Sequence, residues 1–114
     1  MIRIFMTGDN HIGLKYASHE NAGVLAESRI NAFAGMVKEA NSKKCDLFVI
    51  TGDLFENTYN IPKKTVAAVV ELLVGFHGTV AVLPGNHDYY DKDAKLWQDF
   101  RSLISARNNI MLLT

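Results

Sequence analysis

Three short apolar runs in this chain each end in glycine beside a carboxylate, amide or imidazole, and no other feature restricts its folding as much. Ile2-Arg3-Ile4-Phe5-Met6 leads into Gly8-Asp9-Asn10-His11-Ile12-Gly13. Phe48-Val49-Ile50 leads into Thr51-Gly52-Asp53-Leu54, and Val80-Ala81-Val82-Leu83 into Pro84-Gly85-Asn86-His87-Asp88. Each run reads as a buried strand, and each polar cluster as the loop leaving its carboxyl end.

Helical patterns fill the spaces between the runs. From Val24 to Asn41, Ala26, Ile30, Phe33, Val37 and Ala40 recur at spacings of four and three, which puts them on one helix face. Pro62 suits the first turn of a second helix, whose inner face is Val66, Val69, Val70, Leu73 and Phe76. Asp93 is placed to cap a third helix, with Leu96, Trp97, Phe100, Leu103 and Ile104 inward. Asp46–Thr51 is too continuously apolar to be a half-exposed strand, and Ile110–Leu113 reads as a fourth. Leu14 to Gly23, with His19, and Glu56 to Asn60 read as loops.

The order β-α-β-α-β-α-β makes one α/β domain, a mostly parallel sheet with helices covering its faces. Ligands of such sheets bind beyond the carboxyl ends of the strands. All three motif loops leave from that edge, so topology brings them together. With 114 residues the chain has enough material for one core.

Composition narrows the function classes. No apolar stretch reaches the ~20 residues that span a bilayer, so no membrane role is expected. The apolar start is too short for a signal peptide. The single cysteine, Cys45, has no internal disulfide partner and fits a reducing, cytoplasmic setting. Twelve basic and twelve acidic residues balance, without the basic excess usual on nucleic-acid-binding surfaces. The basic pairs Lys43-Lys44 and Lys63-Lys64 read as solvated helix ends.

Asp9 and His11 lie two residues apart, so in an extended segment both side chains point the same way. Asp53 and Asn86 join them from the other strand ends. Carboxylate oxygen, imidazole nitrogen and amide oxygen together suit a divalent ion such as manganese, iron or zinc. One carboxylate can bridge two ions, and such a pair can clamp a phosphoryl group. His87 can stabilise developing charge or protonate a leaving oxygen, and the neighbouring Asp88 is a candidate to hold its ring. Taken singly, Gly-Asp and Gly-Asn-His-Asp are ordinary turns. Three such clusters at successive strand ends are hard to explain as turns alone.

These motifs resemble the signature of the calcineurin-like metallophosphoesterase superfamily: Asp-x-His, Gly-Asp and Gly-Asn-His-(Asp/Glu), each after a strand. Within it, Asp9-Asn10-His11-Ile12-Gly13, Thr51-Gly52-Asp53-Leu54-Phe55, Val82–Asp88 and Lys95–Phe100 look most like the SbcD-type nuclease subunit of double-strand break repair complexes. The protein-phosphatase branch typically has an arginine soon after Gly-Asp, where this chain has Leu54-Phe55-Glu56-Asn57.

The resemblance implies two divalent metal ions, manganese first among them. It makes Asp9 and His11 ligands of the first metal, Asp53 the bridge, Asn86 a ligand of the second, and His87 the catalytic histidine. It further implies DNA as substrate, an SMC-like ATPase as partner, and a homodimer formed through helices near the motifs.

Two departures stand out. Glu56 occupies a position where some relatives carry histidine. The family's later histidine ligands, and the second sheet of its αββα sandwich, have no counterpart before Thr114. Residues 1–114 therefore read as the N-terminal portion of a metallophosphoesterase domain, with weak metal binding and little turnover expected of this chain alone. The competing readings are a metallophosphoesterase of small phosphodiesters or phosphomonoesters, and a non-catalytic fragment that pairs through its helices.

Overall fold

The computed structural model describes residues 2–13, 22–59 and 61–114. Four strands, β1 (Ile4–Thr7), β2 (Leu47–Ile50), β3 (Thr79–Val82) and β4 (Ile110–Leu112), form one sheet in the order β1-β2-β3-β4. Every neighbouring pair is parallel. Helices α1 (Ala22–Ser42), α2 (Lys63–Val74) and α3 (Lys95–Ile104) make the crossovers. The α/β reading with a parallel sheet and flanking helices therefore holds. The loop expected at Leu14–Gly23 gives way to α1 at Ala22; its remainder, His19 included, lies outside the described residues, as does Asn60.

The strand order never reverses. Crossovers of one hand then place every helix on the same side of the sheet, and only one face is covered. Phe5, Phe48, Val80 and Ile110 stand in register on that face. Phe48 is its hub: its ring stacks on Phe5 at 5.2 Å, and Phe33 of α1 and Phe76 after α2 meet it edge-on at 6.0 and 5.6 Å.

The opposite face is open. Ile4 and Met6 are 53% and 65% exposed, Met111 is exposed, and Leu47 and Val49 are half-buried. Three expectations are corrected here. Helices cover one face of the sheet, not both; β1 is an exposed edge strand; and β2 is buried on alternate residues only. An unbroken apolar run cannot distinguish a strand covered twice from one whose second face is left bare.

Helix starts also differ in detail. Pro62 is the residue just before α2, and its carbonyl accepts the N–H groups of Thr65 and Val66. Ala94, not Asp93, precedes α3, and no side chain caps that helix. The N–H of Asp93 instead donates to Asp91 Oδ1 at 2.9 Å, inside the preceding turn.

Candidate metal centre

Beyond the sheet, the loops leaving β1 and β2 keep running side by side. Asp9 N–H donates to Gly52 O, His11 to Asp53 O, Ile12 to Leu54 O, and Glu56 back to Ile12 O. Ile12 and Phe55 form an isolated parallel bridge, and both are fully buried. Phe55 meets Trp97 and Phe100 of α3 edge-on at 6.3 and 6.4 Å. A polar loop is thus pinned by one aromatic ring driven into the core.

Asp9, His11 and Asp53 all adopt the left-handed backbone region, with φ of 52°, 49° and 54°. Non-glycine residues enter this region uncommonly, Asp and His more readily than most, and local strain of this kind gathers at functional sites. Asp9 and His11 therefore do not converge by extended alternation, as the two-residue spacing suggested. They converge because both backbones turn. Asp9, His11 and Asp53 each bring one donor atom within 4.8 Å of the others.

The third loop closes in through glycine. Gly52 has φ of 114°, and a Cβ on it would lie 3.0 Å from the Gly85 Cα. A Cβ on Gly85 would lie 2.5 Å from Asp53 Oδ1 and 2.6 Å from its backbone nitrogen. No side chain larger than hydrogen fits without moving Asp53. Across this contact His87 N–H donates to Asp53 Oδ1 at 2.8 Å. That bond holds the Asp53 carboxyl below the usual carboxylate range; burial opposes it, and the imidazoles of His87 and His11 add to it.

Asp88 has no exposed surface. Its Oδ1 accepts the N–H groups of Asp53 and Gly85 at 3.1 and 2.7 Å, and its Oδ2 that of Phe55 at 3.0 Å. Its carboxylate is committed to the backbone of the β2 and β3 loops, so the expectation that Asp88 holds the His87 ring is corrected. The carboxylate facing His87 is Glu56, whose Oε1 lies 3.8 Å from His87 Nδ1. Glu56 Oε2 lies 2.8 Å from His11 Nδ1, and the two imidazoles meet edge-on at 4.9 Å. Glu56 is not among the ligand candidates that the motifs point to; its position directly after Gly52-Asp53-Leu54-Phe55 is the signal that places it here. Asn86 stands exposed on the same loop as His87.

The donor set fits a divalent ion: two carboxylates and an imidazole converge, and exposed Asp9 leaves the site open. A cavity of about 290 Å³, lined by Asn41, Lys44, Cys45, Asp46, His77 and Gly78, lies at the opposite, amino-terminal edge of the sheet and includes none of these residues.

A parallel sheet whose first three strands deliver Asp-x-His, Gly-Asp and Gly-Asn-His-Asp to one edge defines a metallophosphoesterase arrangement. The family model of the calcineurin-like phosphoesterases matches residues 2–112, and the chain belongs to that family. Metal-dependent hydrolysis of phosphoesters is the chemistry of the family. Among the described residues, no helix is long and apolar enough to cross a membrane.

Proposed function

We propose that this chain carries the strand-end half of a metal-dependent phosphodiesterase centre whose substrate is DNA, in the manner of SbcD-type nucleases. The observation that carries the reading is the convergence of Asp9, His11 and Asp53 donor atoms within 4.8 Å, with the His87 ring against His11. Asp9 and His11 would hold one divalent ion, Asn86 a second, and Asp53 both. Such ions polarise a phosphoryl oxygen and lower the pKa of bound water.

The chain's own residues supply the rest. The His87 N–H on Asp53 Oδ1 favours the ionised form of that carboxyl. His87, half-exposed beside the donor set, is placed to give a proton to a leaving oxygen or to stabilise charge on the phosphoryl group. The DNA reading draws support from the motif sequences and from Tyr59 and Tyr89. These rings are 59% and 47% exposed and pack edge-on at 5.9 Å, and Tyr89 lies two residues past His87. An exposed aromatic face there can stack on a base. Manganese as the ion, an SMC-like ATPase as partner and pairing through helices belong to the same reading and rest on the motif resemblance.

Two measurements test it. Calorimetric titration with manganese should give binding that Asp53→Asn abolishes; equal binding in both would remove Asp53 from the centre. Hydrolysis of linear duplex DNA should then exceed that of a small aryl phosphodiester and fall with Tyr89→Ala. Preference for the aryl ester would favour a small-substrate phosphoesterase.

A further inference from the structure

We propose that Glu56 is a positioning residue shared by the two histidines of the centre, one carboxylate oxygen serving each ring. The proposal rests on the reading of His11 as a metal ligand and His87 as the catalytic histidine. Its oxygens divide between them: Oε2 stands 2.8 Å from Nδ1 of His11, and Oε1 stands 3.8 Å from Nδ1 of His87. Both contacts are to Nδ1, so both rings keep Nε2 free. On His11 that nitrogen looks toward the carboxylates, 3.9 Å from Asp9 Oδ1.

A metal-binding imidazole donates its second ring N–H to a carboxylate or carbonyl, which fixes its tautomer and orientation. Nδ1 of His11 is shielded from solvent, and Glu56 Oε2, though only 2.8 Å away, lies out of line with its N–H direction, so the two are in close contact without a directed hydrogen bond. A small rotation of the ring brings them into line, and catalytic hydrogen bonds commonly tighten in this way when a site is loaded. Among the described residues no other acceptor serves this nitrogen.

The backbone holds Glu56 for this task. Its N–H donates to Ile12 O at 2.9 Å, one residue past His11, and its neighbour Phe55 is locked against α3. The carboxylate is only 24% exposed, as is the His11 side chain. Because one residue faces both rings, the geometry of the metal ligand and of the catalytic histidine is set together.

The test compares the full chain with Glu56→Ala and Glu56→Gln. Long-range nitrogen–proton NMR spectra of the metal-free protein at about pH 8, where free imidazole is neutral, report which nitrogen of each ring carries the proton. The unaltered chain should show the Nδ1–H form at both histidines. Alanine should release both rings to mixed tautomers and weaken manganese binding, read by calorimetry, by roughly 10- to 100-fold. Glutamine keeps one acceptor oxygen, enough for His11 but not for both rings. It should therefore hold the His11 tautomer and keep manganese affinity within about threefold, while His87 alone is released.

Unchanged tautomers in the alanine variant would overturn the proposal. So would loss of manganese binding in the glutamine variant with the His11 tautomer intact, since Glu56 would then be a ligand itself. Glu56→Met, similar in length and without an acceptor, replaces alanine should that variant not fold. If neither the unaltered chain nor Asp53→Asn binds manganese, the metal reading fails, and the tautomer comparison still decides the role of Glu56.

Discussion

Asp88 illustrates how a motif residue can matter without meeting the substrate. Three backbone N–H groups from two loops end on its buried carboxylate. Removing it leaves those donors unpaired in the interior, at about 1–3 kcal/mol each. Asp88→Ala should therefore cost roughly 3 kcal/mol or more in urea unfolding, and Asp88→Asn, which keeps one acceptor oxygen, clearly less. Both should weaken manganese binding, since Asp53 and Gly85 share the same anchor. Asp53 itself gives a pH prediction. Its folded pKa is depressed, so its contribution to stability is complete above the unfolded value of about 3.9 and is lost as pH falls through the lower folded value. The stability advantage of the unaltered chain over Asp53→Asn should hold at neutral pH and shrink in unfolding curves taken stepwise below about pH 4. The candidate ligands were legible in the sequence because their types and order are distinctive. That Glu56 and not Asp88 faces the His87 ring was not legible, because adjacency in sequence says nothing about where a carboxylate turns. Nor was the left-handed backbone at Asp9, His11 and Asp53, which the alternation rule for extended chain cannot anticipate.

At the scale of elements, the Phe55 ring is what ties the loop after β2 to the helical layer. Phe55 is fully buried between Trp97 and Phe100, and it sits between Asp53 and Glu56 in sequence. Phe55→Ala should cost about 3–5 kcal/mol and also weaken metal binding, because the loop carrying both carboxylates loses its hold on α3. Phe100→Ala removes a comparable ring from the same cluster but leaves the Ile12–Phe55 bridge in place. It should lower the thermal midpoint by a similar amount with a much smaller effect on manganese affinity. Calorimetry on the two variants separates loss of core from loss of positioning; equal losses of affinity would mean the loop is held elsewhere. The three helices were readable from their apolar spacing, since Val66, Val69, Val70 and Leu73 all go inward as the period requires. Their first residues were less readable. The start of α3 is set by a turn around Asp91, whose carboxylate takes both the Asp93 N–H and the Tyr59 hydroxyl, and not by a capping side chain. The Tyr59 hydroxyl is correspondingly held protonated well above its ordinary range by its contacts with Tyr89 and Asp91.

For the whole molecule, the decisive fact is that strands follow one another across the sheet without a reversal. One face is filled by the helices, and the other presents Ile4, Met6, Leu47, Val49 and Met111 to solvent or to shallow cover. The apolar pattern alone could not reveal this, because residues on both faces of β2 and β3 are apolar whichever face is covered; the family resemblance, with its second sheet lacking here, did imply a bare face. A contiguous apolar surface of this kind promotes association, and at near-neutral net charge little long-range repulsion opposes it. The chain should therefore sediment with a concentration-dependent mass, and the double substitution Met6→Glu with Met111→Glu should shift it toward the monomer. Both positions are exposed and face away from the helices, so the far-ultraviolet circular dichroism should be unchanged. Manganese affinity should be unchanged too, because the candidate ligands leave the sheet at its carboxyl edge and not from this face. Association that persists in the double variant and disappears on changing the outer faces of the helices would place the contact there instead. Pairing would then belong to the helical layer, as the motif resemblance implies, and the bare sheet face would play no part in it.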